Sequence, residues 1–158
     1  MISLVKVLFV CLGNICRSPM AEAAFSHLIT DKKLDDQFVI DSAGVSNYHV
    51  GEPPHEGTLK KLKEHHINAN GLTARQFETT DFEHFDYIIA MDDDNIETLN
   101  KLMENQEVVV KKLLEYLPDE AADNVPDPFF TGDFDETYDL VSRACKNLLD
   151  DIRVNHDI

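Results

Sequence analysis

The sequence predicts an α/β fold in which helices cover both faces of a parallel β-sheet. Segments with strand-like apolar runs alternate with segments of helical periodicity along the 158 residues. The predicted strands are apolar along most of their length, as expected for strands that are buried on both faces of a parallel sheet. The chain length suits one hydrophobic core, so we expect residues 1–158 to form a single domain.

The first half of the chain contains two predicted strands and two predicted helices. Residues 4–10 form an apolar run that only Lys6 interrupts, which indicates a buried strand. A helix is predicted at residues 18–30, a short strand at residues 38–40, and a loop rich in Gly, Pro, Asn and Ser from residue 42 to residue 54. The second helix is predicted to begin at the proline pair and to end near residue 66.

The second half repeats the alternation. Residues 87–91 predict a strand, and the acidic run that begins at Asp92 is typical of the N-terminus of the next helix. A fourth strand is predicted to begin at Val108. After an acidic loop, Asp133 and Glu136 are arranged as a capping box at the start of the last helix.

Charge and cysteine content narrow the classes of function. The chain has 14 basic and 30 acidic residues, a net charge of −16, which argues against binding to nucleic acid or to an anionic membrane surface. Its three cysteines do not form a disulfide framework. We therefore expect a cytoplasmic protein that has neither nucleic-acid nor membrane partners.

One stretch, between the first predicted strand and the first predicted helix, carries the candidate chemistry. Five residues separate Cys11 from Arg17, and backbone N–H groups at such a strand-to-helix loop can surround an oxyanion. Gly13 allows the loop to fold back, and Ser18 is predicted to cap the helix. The guanidinium of Arg17 can grip two phosphate oxygens, and the same positive field favours a thiolate nucleophile at Cys11.

This stretch resembles the signature of the low-molecular-weight protein tyrosine phosphatases. It reads Cys-Leu-Gly-Asn-Ile-Cys-Arg-Ser-Pro-Met-Ala-Glu, and the resemblance extends over nearly the whole chain, including Asp41-Ser42, Gly51-Glu52-Pro53-Pro54, Ala74-Arg75-Gln76, Phe85-Asp86-Tyr87-Ile88, Met91-Asp92 and Asp127-Pro128-Phe129. The resemblance implies a flavodoxin-like, three-layer domain whose four-stranded parallel sheet has the order 2-1-3-4. It also implies a bacterial-type enzyme that hydrolyses protein phosphotyrosine through a cysteinyl-phosphate intermediate.

The resemblance further implies a role for each site residue. Cys11 would be the nucleophile, Arg17 would bind the phosphoryl oxygens, and Asp127 would be the general acid and then the general base. The loop N–H groups that would help to bind phosphate belong to Leu12, Gly13, Asn14, Ile15, Cys16, Arg17 and Ser18. Neither a metal nor another cofactor would be required.

A second group of residues is expected to shape the pocket and support the loop. The candidate pocket walls, suited to an aromatic ring, are Leu12, Ile15, Tyr48, Phe129 and Phe130. By resemblance, Asn14 is expected to hold the loop through a hydrogen bond to Ser42, and Ser18 to hydrogen-bond the sulfur of Cys11. The expected partners are phosphotyrosine-containing proteins or peptides, bound by a monomer or a weak homodimer.

Four alternatives remain open at the level of sequence. Protein arginine phosphatases share the loop but carry Thr at the positions of Leu12 and Ile15, whereas apolar residues favour an aromatic substrate. Thioredoxin-coupled arsenate reductases need a further cysteine pair in mid-chain, and no cysteine lies between Cys16 and Cys145. A catalytically silent phosphotyrosine-binding module would not need the intact set of Cys11, Arg17 and Asp127. Asp92-x-Asp94 also resembles the opening motif of the haloacid-dehalogenase-type phosphatases, but Ile96 stands where Thr or Val is usual, and we favour helix capping as the explanation.

Overall fold

The computed structural model describes residues 4–104 and 107–158. Within this part of the chain, four strands form a parallel sheet: β1 (Val5–Cys11), β2 (Phe38–Gly44), β3 (Tyr87–Ala90) and β4 (Val109–Lys112). The strand order is β2-β1-β3-β4, and each neighbouring pair is parallel. The predicted fold class and strand order are therefore confirmed.

Helices connect and cover the strands. They are α1 (Arg17–Asp31), α2 (Glu56–Glu64), α3 (Asp81–His84), α4 (Asp93–Leu102), α5 (Pro128–Thr131) and α6 (Phe134–His156). Two short 3-10 turns lie at Asp35–Gln37 and Leu113–Tyr116. The sequence analysis missed α3 and α5 because a four-residue helix is too short to display a hydrophobic period.

The two faces of the sheet are covered by different helices. Val7 and Phe9 of β1 belong to the larger apolar cluster, which also contains the buried residues of α1 and α6. Leu8 and Val10 point to the opposite face and pack in a second cluster that includes Leu99 of α4. This alternation follows from the two-residue period of a strand, and it explains why nearly every residue of β1 is apolar.

Strand β2 is longer than the predicted strand at residues 38–40. Its pairing with β1 continues as far as the partners Cys11 and Gly44, so the polar residues Asp41 and Ser42 also lie in the strand. Their side chains accept or donate hydrogen bonds instead of contributing to an apolar pattern. The polar composition therefore concealed the second half of the strand.

The predicted helix at the proline pair begins later than expected. Helix α2 begins at Glu56, and the imidazole of His55 caps it by accepting a hydrogen bond from the Gly57 N–H at 3.0 Å. At the start of α6, Asp133 accepts from the Glu136 N–H at 2.9 Å, so the predicted N-cap is confirmed. The reciprocal half of the predicted capping box is absent, because the Asp133 N–H donates to Thr131 Oγ1 at 3.1 Å. In the described residues, no helix combines the length and apolar character needed to cross a membrane.

The sheet topology determines where a binding site can form. Strand β1 lies between β2 and β3, so the chain leaves β1 toward one edge of the sheet and later crosses to the other. In parallel α/β sheets, ligands bind beyond the carboxyl ends of the strands at such a switch point. The loop between Cys11 and α1 lies at this position.

Candidate active site

The loop from Cys11 to Ser18, called the Cys11 loop below, joins β1 directly to α1. Cys16 occupies the N-cap position and makes no side-chain capping bond, and α1 begins at Arg17. The prediction that Ser18 caps this helix is therefore wrong. Instead, the Ser18 hydroxyl oxygen accepts a hydrogen bond from Asn14 Nδ2 at 2.7 Å and lies 3.0 Å from Cys11 Sγ.

The carbonyl groups of the Cys11 loop are held by donors on the surrounding elements. The pairs are Cys11 O with the Val45 N–H, Leu12 O with the Ser46 N–H and hydroxyl, Ile15 O with the His55 N–H, and Cys16 O with the Thr58 hydroxyl and the Met20 N–H. A peptide unit points its C=O and N–H in opposite directions. Fixing the carbonyls outward therefore turns the N–H groups of the same peptide units toward the inside of the loop.

Asn14 is the central support of the loop. Its backbone has a left-handed conformation with φ of 57°, which is uncommon for a residue other than glycine. Its Nδ2 donates to the hydroxyls of both Ser18 and Ser42, the latter at 2.9 Å, and its Oδ1 accepts from the Arg75 N–H at 3.0 Å. Its own N–H donates to Cys11 Sγ at 3.3 Å.

Behind this support lies a carboxyl group that the sequence analysis did not single out. The Ser42 hydroxyl donates to Glu22 Oε1 at 2.6 Å. Burial raises the pKa of Glu22 to about 7; nearby Asp41 acts in the same direction, while the Ser42 hydrogen bond and the Arg75 charge oppose it. In the sequence, Glu22 ends the motif that resembles the family signature and stands among small and apolar residues at the start of α1.

Arg17 is buried, with an exposed fraction of 2%, and three acceptors fix its guanidinium. Nη1 donates to Asp92 Oδ2 at 2.6 Å and to the Val125 carbonyl at 2.9 Å, while Nη2 donates to Asp127 Oδ2 at 3.2 Å. Burial alone would lower the pKa of Arg17, but Cys11 and the two carboxylates outweigh burial and raise it. The guanidinium therefore remains charged within the protein interior.

Asp92 has two roles, of which the sequence indicated one. Its Oδ1 accepts from the Asn95 N–H at 2.8 Å and caps α4, so the predicted capping is confirmed. Its Oδ2 anchors Arg17 from 75 positions further along the chain, a contact that the sequence pattern could not reveal. With both oxygens engaged in this way, capping and anchoring account for Asp92 without a haloacid-dehalogenase-type role.

Asp127 lies at the start of the short helix α5. Its Oδ1 accepts from the Phe129 N–H at 3.1 Å, so it caps α5, while Oδ2 faces Arg17. Pro128 occupies the first turn of this helix, which fixes the backbone next to the carboxyl group. The carboxylate and the Cys11 thiol line the same pocket.

That pocket has a volume of about 180 Å³ above the Cys11 loop. Its lining includes all five predicted wall residues, namely Leu12, Ile15, Tyr48, Phe129 and Phe130. Tyr48 and Phe130 are exposed by 79% and 74%, so they form the mouth, whereas Ile15 is exposed by 8% and lies deep. The walls are therefore mainly apolar, with Cys11 and Asp127 as the reactive groups.

His49 is a further wall residue that the sequence analysis missed. It lines the pocket, its ring lies 6.1 Å from that of Phe129, and its Nδ1 is 2.9 Å from Glu52 Oε2. A Cβ at Gly13 would meet His49 Cδ2 at 2.9 Å, so glycine there allows this close approach. The left-handed backbone expected at Gly13 lies instead at Asn14. A single histidine in a loop carries no spacing signal, which is why the sequence did not indicate it.

The remaining thiols differ from a reactive cysteine. Burial raises the pKa of Cys16 to about 12, with Asp127 and Cys11 adding to the shift, so this thiol stays protonated next to Cys11. Burial also raises the pKa of Cys145, which packs between α6 and α1 in the core. Among residues 4–104 and 107–158, no group of three or more His, Cys, Asp or Glu side chains is placed to hold a metal ion.

Comparisons with known proteins find relatives along nearly the full chain. The low molecular weight protein-tyrosine-phosphatase YfkJ of Bacillus subtilis is 46% identical over 151 residues, which cover 95% of this chain and 97% of that protein. PtpA of Staphylococcus aureus, which has the same description, is 45% identical over 147 residues and 93% of each chain.

Solved structures have the same fold. The crystal structure of YfkJ matches with a TM-score of 0.94 over 97% of both chains. The Drosophila arginine phosphatase matches with a TM-score of 0.88 at 33% identity, over 94% of this chain and 98% of that one. The sequence pattern of low molecular weight phosphotyrosine protein phosphatases matches residues 6–157. With this match, the sequence identities and the shared fold, the chain belongs to the low molecular weight phosphotyrosine protein phosphatase family.

Proposed function

We propose that this protein hydrolyses phosphotyrosine monoesters in proteins, with Cys11 as the nucleophile. The observation that carries the proposal is the placement of Cys11 Sγ. The sulfur lies at a pocket lined by Asp127 and apolar side chains, with the Asn14 N–H at 3.3 Å and the Ser18 hydroxyl at 3.0 Å. These two groups and the nearby Arg17 charge are placed to stabilise negative charge on the attacking sulfur.

The Cys11 loop is proposed to bind the phosphoryl group. The outward-held carbonyls support this role, because they leave the N–H groups of Leu12, Gly13, Cys16 and Arg17 directed to the inside of the loop. Fixed N–H groups that are directed at the oxygens of a transferring phosphoryl group stabilise its developing charge. The N-terminus of α1 contributes further positive potential at the same point.

Arg17 is proposed to complete this cradle through one edge of its guanidinium. Nη1 uses both of its hydrogens on Asp92 and the Val125 carbonyl, which fixes the plane of the group. The edge formed by Nε and Nη2 is then available as a planar fork for two phosphoryl oxygens. Nη2 has two hydrogens and gives one to Asp127 at 3.2 Å, which leaves the other for a phosphoryl oxygen.

Asp127, in its protonated form, is proposed to act as the general acid. In the first step, phosphorus bonds to Cys11 Sγ, the bond to the phenol oxygen breaks, and Asp127 gives its proton to that oxygen. In the second step, Asp127 accepts a proton from water as the water attacks phosphorus, and the Cys11 thiolate leaves. The Ser18 hydroxyl, 3.0 Å from Sγ, is placed to stabilise the departing thiolate.

The pocket chemistry favours an aromatic phosphate ester. Phosphotyrosine holds its phosphate at the end of a rigid ring, whereas phosphoserine is too short to reach the base of a deep slot. Phe129, Phe130 and Tyr48 offer ring faces or edges for packing against the substrate ring. We therefore propose phosphotyrosine-containing proteins or peptides as the substrate class.

Arginine phosphatase activity is the second candidate, favoured by the structural match to the Drosophila arginine phosphatase. A phosphoarginine side chain is long enough for the pocket, but it brings a polar guanidinium. Ile15, exposed by 8%, and Leu12 offer this group no hydrogen-bond acceptor from their side chains. An unpaired polar group in an apolar slot loses binding free energy, so the pocket walls favour phosphotyrosine.

We also propose a cytoplasmic location and a monomeric or weakly dimeric state. Three buried cysteines without disulfide partners suit a reducing compartment. The net charge of −16 disfavours nucleic acid and anionic membranes as partners. The chemistry proposed above uses side chains and loop N–H groups, so it requires no metal or other cofactor.

A substrate panel tests the proposed function directly. Peptides that carry phosphotyrosine, phosphoserine or phosphoarginine, together with arsenate, would be assayed with the wild type and with Cys11→Ser as the control. We expect the highest kcat/KM for phosphotyrosine, and no turnover with the control. A preference for phosphoarginine, or turnover by Cys11→Ser, would overturn the proposal.

A further inference from the structure

The hydrogen bonds around Asn14 can be assigned a direction because most of the donors are unambiguous. The Arg75 N–H must donate to Asn14 Oδ1, so the other side of the amide is Nδ2, which donates to both Ser18 and Ser42. Each hydroxyl thus accepts from Asn14 and has its own hydrogen left to donate.

The two free hydroxyl hydrogens have different acceptors. The hydrogen of Ser18 can point to Cys11 Sγ, 3.0 Å away, and that of Ser42 can point to Glu22 Oε1, 2.6 Å away. Ser18 and Ser42 are exposed by 0% and 4%, so water does not replace either acceptor. An unbroken series of hydrogen bonds therefore connects the carboxyl group of Glu22 to the sulfur of Cys11, with donation running outward from Asn14 Nδ2 to both ends.

From these hydrogen bonds we propose that Glu22 is a positioning residue for the phosphatase reaction. Its carboxylate holds Ser42 and, through it, Asn14, which keeps the Ser18 hydroxyl directed at Cys11 Sγ. The inference rests on the proposed function, in which that hydroxyl stabilises the departing thiolate. Glu22 does not contact the substrate or the reacting atoms in this account. It acts by holding the Ser42 hydroxyl, which in turn holds the Asn14 amide that donates to Ser18.

The protonation state of Glu22 controls how strongly its carboxyl group binds the Ser42 hydroxyl. An ionised carboxylate is an acceptor only, and its hydrogen bonds are about twice as strong as neutral ones. A protonated carboxyl can instead donate to Ser42, and the Ser42 hydrogen then loses its acceptor in a buried position. Ionised Glu22 therefore holds Ser42, and through it Asn14, more firmly than protonated Glu22 does.

The surroundings of Glu22 place this change near neutral pH. Burial raises its pKa to about 7, with Asp41 of β2 adding to the rise and Arg75 opposing it. Arg75 divides its charge between Asp41 and Asp81, so it compensates Glu22 only in part. The nearest charged groups thus leave Glu22 half-ionised at about the pH where a cytoplasmic enzyme works.

The test measures the ratio of kcat for the wild type to kcat for Glu22→Gln from about pH 5 to about pH 8.5, with an aryl phosphate as substrate. Glutamine preserves the shape of Glu22 but not its titration, and ionisations common to both enzymes cancel in the ratio. We expect a ratio near one at the acidic end and about 3- to 10-fold above pH 7, the size of one hydrogen bond. Glu83→Gln, an exposed change of the same charge on α3, should give a flat ratio.

A second variant separates positioning from general damage. Ser42→Ala removes the link but leaves Glu22 in place, so Glu22→Gln should have no further pH-dependent effect in that background. If Glu22→Gln does not fold, the ratio of wild type to Ser42→Ala carries the same expected pH dependence. A flat ratio for an active wild type would overturn the role of Glu22 alone, whereas an inactive wild type would overturn the proposed function itself.

Discussion

Arg17 and Asp127 form an ion pair in which Nη2 and Oδ2 are 3.2 Å apart, although 110 positions separate the two residues in the sequence. The pair connects the Cys11 loop with the start of α5. In the proposed reaction, these residues bind the phosphoryl group and protonate the leaving group. Their contact therefore places the proposed general acid next to the proposed phosphate-binding group.

Replacing Asp127 should affect substrates according to their leaving groups. Asp127→Asn retains an oxygen that can cap α5 but cannot supply the proton, so we expect phosphotyrosine hydrolysis to slow by about 10²- to 10⁴-fold. An activated aryl phosphate, whose phenolate leaves readily, should slow much less. Single-turnover rates for both esters provide the measurement. Equal slowing of the two would mean that Asp127 has only a positional role.

Asp92 should be required for the orientation of Arg17. An asparagine has one side-chain oxygen, so Asp92→Asn can either cap α4 or accept from Arg17, but not both. We expect kcat/KM for phosphotyrosine to fall by about 10- to 100-fold, the value of a charge-assisted hydrogen bond. Asp93→Asn is the matched control, because Asp93 is a neighbouring carboxylate that pairs with Lys112. Equal losses in both variants would contradict the anchoring role.

Ile15 should help to set the choice between phosphotyrosine and phosphoarginine. Ile15→Thr introduces a hydroxyl and opens space in the deep part of the pocket. We expect the ratio of kcat/KM values to shift toward phosphoarginine, because a hydroxyl can accept from its guanidinium. Competition between the two phosphopeptides measures this ratio directly, and an unchanged ratio would remove Ile15 as a specificity determinant.

Glu22 should lower the stability of the folded protein at neutral pH. Its pKa rises from 4.5 to about 7 on folding, so between these values the folded state binds more protons than the unfolded state. The free energy of unfolding therefore falls as pH rises from 4.5 toward 7, by on the order of 2–3 kcal/mol from this group alone.

Denaturant unfolding of the wild type and Glu22→Gln at several pH values checks whether the free energy of unfolding falls as the pH rises. The glutamine variant should lack the slope and should gain stability relative to the wild type as pH rises. A residue that costs stability and supports turnover fits a functional role better than a structural one. If the wild type instead gained stability over this pH range relative to the variant, the assigned environment of Glu22 would be incorrect.

The sequence predicted those parts of the fold and site that depend on local pattern. Apolar strands and helical periodicity were sufficient for the α/β class, and the run from Cys11 to Ser18 indicated the loop. The five pocket walls also lie together, as expected from the resemblance. In each case, either the pattern itself or the matching family motif carried the information.

The contacts that the sequence did not reveal join residues far apart in the chain. The sequence indicates that Asp92 is an ordinary helix cap. Only the folded structure brings its second carboxylate oxygen to Arg17. Ser18 looked like a cap because its type suits one, but the tertiary hydrogen bonds to Asn14 and Cys11 override that preference. Glu22 ends the motif that resembles the family signature, but the sequence did not indicate its role, because its environment is created by β2 and the loop that carries Arg75.

Direct detection of phosphate on Cys11 is the measurement that tests the central claim most closely. Asp127→Asn retains Cys11 but should be slow to hydrolyse the intermediate, so rapid acid quenching with an activated aryl phosphate should trap it. Mass spectrometry of the digested protein should then locate one phosphoryl group on the peptide that contains Cys11, and none in Cys11→Ser. Turnover by the wild type with label on another residue, or with no labelled enzyme at any quench time, would contradict the proposed covalent mechanism.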